Sequence, residues 1–356
     1  MKQAPAGDED DAHLTLQPWP DHRKSSSMRR RGRNSPWRRR RLITTGVAII
    51  AAAAIAAIVT LYNKPAVPTN SVGPLPVHLP TTPQSYIGVF AKGSPASYDG
   101  VTAFANATGA RPDIVMYYSG WFMPFPTGFA TTAAKNGAVP LVQMDPDGKN
   151  VSIAGIADGR YDGYLSAFAE NVRAYQHPVI LSFGHEMNGS WYPWGYTHTS
   201  PKTFVAAWRH IVTVFRALGA RNVTWLWTIN IVNDTQDGRI PPPAPWWPGK
   251  SYVTWVGIDG YYLEPNWQFA PLFGPTIAKV RALTGDPILI AETGTTPASG
   301  QPAKIADVFA GIRLYGLLGL VYFDSADYRG LNFRISSSAA TAAFGKGAST
   351  FVRPGS

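Results

Sequence analysis

From Ser85 to the C-terminus, short apolar runs alternate with longer amphipathic stretches. The runs are Tyr86–Ala91, Asp113–Tyr118, Val139–Met144, Pro178–Phe183, Val223–Ile229, Thr254–Asp259, Pro287–Ala291 and Leu318–Phe323. Most are continuous rather than alternating, the pattern of parallel strands covered on both faces. The clearest helix between them is Pro201–Leu218. Ser200 is a good N-cap, Pro201 takes the first helical position, and Phe204, Trp208, Ile211, Phe215 and Leu218 form one stripe that Gly219 ends. Further helices are expected over 161–175, 271–284, 302–315 and 337–344. Eight strands separated by helices predict an α/β fold of the (β/α)8, or TIM-barrel, type over residues 85–356. A doubly wound open sheet is the alternative, but no Gly-rich phosphate fingerprint follows the first strand.

The N-terminal segment has a different pattern. Residues 1–41 are polar, rich in Ser, Pro and Arg, without hydrophobic periodicity, and end in Trp37 followed by Arg38 to Arg41. They are expected to be a disordered basic tail. Leu42–Tyr62 carries no charge and is rich in Ala and Ile. At 1.5 Å per residue it would extend roughly 31 Å as a helix, about the hydrocarbon thickness of a bilayer. It is expected to be a transmembrane signal-anchor, with the arginines orienting the tail to the cytoplasm and the rest of the chain outside the cell. If the segment is cleaved instead, the remainder is secreted. Residues 63–84 contain six prolines and read as an extended spacer.

Charge changes the picture only by its location. The net charge is +10, but residues 1–64 hold 12 Lys/Arg against 5 Asp/Glu, and the remainder holds 20 against 17. The barrel region therefore gives no sign of nucleic-acid binding. The absence of cysteine excludes disulfides, thiolate metal sites and a cysteine nucleophile.

Outside the tail the glutamates are Glu170, Glu186, Glu264 and Glu292. Glu170 lies in an expected helix as a surface charge, and Glu264, after the sixth run, is a loop charge or a substrate contact. Glu186 and Glu292 follow the fourth and seventh apolar runs directly, where a carboxylate is costly to desolvate unless paired or used. In an eight-stranded barrel those strand ends face each other across the mouth. Two carboxyls in that relation suit glycoside hydrolysis, one donating a proton to the leaving oxygen and the other acting as an anion. Pairing of each glutamate with a neighbouring Arg or Tyr is the structural alternative. Aromatics crowd the same loops: Trp191, Tyr192 and Trp194 after Glu186, Trp246 and Trp247 after the fifth run, Tyr261, Tyr262 and Trp267 after the sixth. Aromatic faces there suit stacking on pyranose rings; Trp208, Trp225 and Trp255 read as core.

The segment FGHEMNGSWYPWG, with VGIDGYY and IAETG downstream, resembles the family 26 glycoside hydrolases, a group of retaining (β/α)8 enzymes that includes β-mannanases. The resemblance extends over roughly Tyr86 to Phe351 and implies double displacement. It makes Glu186 the acid/base and Glu292 the nucleophile, with carboxyl groups about 5–5.5 Å apart. It makes His185, Trp191, Asp259 and Tyr261 substrate-contacting or orienting residues. Trp194 joins this group as a neighbouring loop aromatic. Near the end of the eighth strand, where the family often carries a stacking Trp, this chain has Tyr322. The implied substrate is β-mannan, with β-1,3/1,4-glucan or xylan as alternatives. A non-catalytic polysaccharide-binding envelope protein is the reading from a different class.

Other motifs fall short. His185-Glu186 begins an H-E-x-x-H pattern but Gly189 occupies its last position. Asp145-Pro146-Asp147-Gly148 opens like a calcium loop without the later ligands; following the third strand, it reads as a turn, with lining of the cleft as the alternative. No G-x-S-x-G elbow is present. The expected cofactors are none, with no metal. The expected partners are a polysaccharide and, through one helix, the membrane, the chain acting as a monomer.

Overall fold

The structure is a computed structural model that describes residues 78–232, 240–326, 328 and 330–352. The tail 1–41, the apolar segment 42–62 and most of the spacer 63–84 lie outside the described residues. Among the described residues no helix is long and apolar enough to cross a membrane.

Eight parallel strands close into a barrel in sequence order. They are β1 (Tyr86–Ala91), β2 (Ile114–Gly120), β3 (Val139–Asp145), β4 (Val179–Phe183), β5 (Val223–Asn230), β6 (Trp255–Asp259), β7 (Ile288–Thr293) and β8 (Gly319–Asp324). The helices are α1 (Asp99–Thr108), α2 (Thr127–Lys135), α3 (Ile153–Ala157), α4 (Asp162–Tyr175), α5 (Pro201–Ala217), α6 (Phe269–Leu283), α7 (Gln301–Tyr315) and α8 (Ser338–Ala348). Between β5 and β6 the described residues hold two short 3-10 turns, Ala244–Trp246 and Lys250–Tyr252. The barrel is therefore the architecture that the apolar runs predicted, in place of the open sheet.

α5 forms as its sequence dictates. The Ser200 hydroxyl accepts the Thr203 N–H, Pro201 opens the helix, and Phe204, Trp208, Ile211 and Phe215 are buried. Helices α1 to α3 were not expected. They are short, of 10, 9 and 5 residues, and each buries only three residues, so few positions carry a helical period.

The strand side chains divide into two apolar layers. Outward residues such as Val115, Leu181, Trp227 and Ile290 pack against the helices. Inward residues at the lower end, among them Tyr86, Ile114, Ile180, Leu226, Trp255 and Leu289, fill the barrel. Truncating one of these to Ala removes close-packed contacts on every side, a loss of about 2–5 kcal/mol for Leu or Ile. Moving up each strand in steps of two, the inward positions turn polar: Leu226, Thr228, Asn230 on β5; Leu141, Gln143, Asp145 on β3; Ile180, Ser182 on β4. Ser182 donates to Thr228 at 2.9 Å. The C-terminal mouth of the barrel thus carries the polar groups that a solid apolar floor supports.

Candidate active site

Glu292 enters the barrel because β7 is bulged. Ile258 pairs with Ile290 but Asp259 pairs with Glu292, and Thr293 pairs with Tyr322 where Ile290 pairs with Leu320. β7 therefore carries an extra residue, and Ala291 and Glu292 both face inward although a regular strand would alternate them. Both carboxylate oxygens of Glu292 are held. Tyr118, at the inward end of β2, donates to Oε1 at 2.6 Å, and Tyr261, just beyond β6, donates to Oε2 at 2.7 Å. Gln143 on β3 adds a longer contact to Oε1 at 3.5 Å. Burial pushes the Glu292 carboxyl up to about 7; the His185 charge pulls down, Glu186 pushes up, and the two tyrosines pull down. Burial and the Glu292 charge push both tyrosines well above their usual value, so both stay protonated donors.

Glu186 is positioned by the turn that follows β4. Gly184 has φ +53° and Glu186 has φ +53°, so the chain doubles back twice. At Gly184 a Cβ would stand 3.0 Å from Phe204 and 3.2 Å from Trp194, so only glycine fits both the angle and the space. A glutamate in the left-handed region is strained, and neighbours fix it: its N–H donates to the Thr228 carbonyl at 3.0 Å, and its carbonyl accepts from Gly189 at 2.7 Å. Asn188 clamps this turn to β5, donating to the Asn230 carbonyl at 2.9 Å and accepting the Asn230 N–H at 2.9 Å. That clamp sets the Asn230 side-chain amide on Glu186 Oε1. Trp191 donates its indole N–H to Glu186 Oε2 at 2.7 Å, and its ring lies where a Cβ on residue 189 would be, which explains Gly189.

His185 is 1% exposed and bridges two groups. Its Nδ1 meets Asp145 Oδ1 at 2.9 Å and its Nε2 meets the Tyr192 hydroxyl at 3.1 Å. Burial alone would lower the imidazole, but the Asp145 charge and hydrogen bond, then Glu292 and Glu186, outweigh it and raise His185 to about 9. Asp145 is itself pushed up by burial, against the pull of His185. Asp259 is fully buried, and neither of its oxygens has a hydrogen-bond partner of good geometry, the nearest donor being the Glu292 backbone N–H. Burial, then the charges of Glu292, Glu186 and Asp145, push its carboxyl well above the usual carboxylate range. Among the described residues no group of three or more His, Asp or Glu is arranged to hold a metal ion.

The structure therefore brings together Glu186, Glu292, His185, Trp191, Asp259 and Tyr261. Two expected contacts are corrected. Tyr322 faces the helix layer: it is 1% exposed, its hydroxyl donates to the Phe333 carbonyl at 2.9 Å, and its ring packs on Phe104 and Phe344. The inward residue at that level is Phe323, stacked on Phe90 at 4.6 Å. Trp194 is also 1% exposed; it stacks on Tyr192 at 4.4 Å and donates to the His185 carbonyl at 2.7 Å, supporting the site from behind. Trp246 and Tyr262 are buried as well. Tyr192, expected as a loop aromatic of the cleft, meets His185, and Asp145, read as a turn or cleft-lining residue, belongs to the site; Tyr118, Gln143 and Asn230 join it unannounced. Their signal was the inward phase of each strand's last polar residue.

Residues 128–294, which include both glutamates and Asp259, match the model of glycosyl hydrolase family 26. The family 26 likeness thus lies in the central segment of the chain, the part that carries both glutamates. Endoglucanase H of Acetivibrio thermocellus is 30% identical over 235 residues, covering 62% of this chain and 25% of that protein. A beta-1,3-xylanase, TXYA, from a Vibrio species is 26% identical over 183 residues, covering 48% and 38%. A mannan endo-1,4-beta-mannosidase of Bacillus subtilis is 24% identical over 151 residues, covering 40% and 38%. The chain spans well under half the length of these relatives. Among solved structures, a Cellulomonas fimi endo-beta-1,4-mannanase double mutant superposes with a TM-score of 0.59 at 18% identity, covering 74% of this chain and 70% of that one. A GH26 beta-mannanase from Bacteroides ovatus gives 0.55 at 15% identity, covering 74% and 88%. At these identities the likeness is one of fold.

Proposed function

We propose that this domain is a retaining endo-β-glycoside hydrolase of family 26 that cleaves a β-linked polysaccharide by double displacement. The observation that carries the reading is the pair of buried carboxyls from β4 and β7 with different surroundings. Glu292 has a phenol hydroxyl on each oxygen and a cationic His185 nearby, a setting for an anion that attacks the anomeric carbon. Glu186 is held between the indole of half-buried Trp191 and the Asn230 amide, a setting for the group that meets the leaving oxygen. It protonates that oxygen, then takes a proton from the water that releases the sugar from Glu292. Tyr261 aligns the nucleophile through its hydrogen bond to Oε2.

The preferred substrate is a β-1,4-mannan, supported by relatives and solved structures that carry the mannanase name. A β-glucan is the second reading, favoured by the 30% identity to a protein named endoglucanase; xylan stands behind it on the xylanase relatives. The sequence pattern of 42–62 supports an outward-facing domain held at the membrane by one helix. Release of reducing sugar by the full chain from galactomannan, glucomannan, mixed-linkage β-glucan and xylan, with Glu292→Ala as control, tests the function. Activity on one polymer that disappears in the variant is expected. Binding of a polymer without hydrolysis by the wild type would overturn the enzyme reading and leave a binding protein.

A further inference from the structure

Phe122 combines features that neither folding nor the reaction explains. It follows β2 by two residues, and it is 54% exposed with φ +73°. A bulky side chain in the left-handed region is strained, and such strain persists only where the surroundings over-determine it. Here they do. The Trp121 N–H donates to Asp147 Oδ1 at 3.1 Å, the Met123 N–H to the Gly120 carbonyl at 3.1 Å, and the Tyr164 hydroxyl to the Met123 carbonyl at 3.1 Å. Tyr161 and Tyr164 meet the Phe122 ring edge to face at 5.9 and 5.5 Å, propping it without covering it. Met123 beside it is 56% exposed, so two adjacent large apolar side chains face solvent.

Their location is the barrel end that carries the two glutamates. Gly120 pairs with Asp145, the partner of His185, and Tyr118 on the same strand holds Glu292. Phe122 lies within roughly 7 Å of Gly120 along the chain. A rigidly presented ring at the rim of a carbohydrate cleft has one chemical complement, the C–H face of a pyranose.

We propose that Phe122, propped by Tyr161 and Tyr164, is an outlying stacking platform for a sugar residue of the polysaccharide, beyond the units that the glutamates handle. This rests on the glycanase reading above. The platform contributes affinity for long chains and nothing to bond cleavage.

The experiment compares full-chain wild type, Phe122→Asn and Phe122→Trp on the polymer it hydrolyses and on a short aryl β-glycoside of the same sugar. Asn tolerates the left-handed backbone, so it removes the ring while keeping the loop. The expected result is a KM for polymer raised about three- to tenfold in Phe122→Asn, from loss of one aromatic contact. The aryl glycoside should be turned over unchanged, and Phe122→Trp should match the wild type on both. Wild-type KM for polymer in Phe122→Asn would overturn the platform, as would an equal loss on the short substrate. A wild type inactive on every substrate would instead overturn the glycanase reading.

Discussion

Asp145 accepts the Nδ1–H of His185 at 2.9 Å inside the barrel mouth, and so keeps a positive charge facing two glutamates. Asp145, Glu292 and Glu186 all raise the imidazole, while Tyr192 closes its other nitrogen. The His185 charge is in turn the largest influence drawing Glu292 down from where burial puts it. Asp145→Asn should therefore free the His185 proton and push Glu292 upward. The acid limb of the kcat/KM profile should move to higher pH than in wild type, and an unmoved limb would refute the coupling.

The same pair makes stability depend on pH. His185 is raised from 6.5 to about 9, so its contribution is full below 6.5 and lost as the pH rises through 9. Denaturant titrations should show wild-type stability falling across that window, with a flatter curve for Asp145→Asn.

Tyr118→Phe and Tyr261→Phe each remove one donor from Glu292. A hydrogen bond to a charged group is worth about 1.5–3 kcal/mol, so kcat/KM should drop about 10- to 100-fold in each. Since these donors favour the anion, the acid limb should also shift upward from about 7. A loss of activity without that shift would point to general disruption of the mouth.

Trp191→Phe keeps an aromatic face and loses the indole N–H on Glu186. The expectation is a fall in kcat of about tenfold with KM little changed, the pattern of an interaction felt in the transition state. A raised KM with unchanged kcat would make Trp191 a binding platform alone.

Tyr322→Phe should leave kcat/KM unchanged and cost about 1 kcal/mol of stability, through loss of its bond to the Phe333 carbonyl. Thermal denaturation and steady-state kinetics together check it.

Much of this was legible in the chain. The apolar runs gave the strands because a barrel wall is buried on both faces, and Glu186 and Glu292 stood out as charges placed directly after such runs. The HEMNG-x-W block is now accounted for residue by residue: Met187 is core, Asn188 ties the turn to β5, and Gly189 makes room for Trp191. What escaped was phase. Tyr118, Gln143, Asp145 and Asn230 are ordinary residues until the two-residue period assigns them inward. The same period sends Tyr322 outward and Phe323 inward. The bulge that turns Glu292 into the barrel leaves no mark in the local sequence, because it arises from pairing with β6 and β8.

The central claim is a covalent double displacement through Glu292, and the anomeric configuration of the first product tests it most directly. Proton NMR of the full chain acting on the polymer it hydrolyses should show the β-anomer first, mutarotating later, and no product with Glu292→Ala. An α-anomer appearing first, or release that survives Glu292→Ala, would contradict the account.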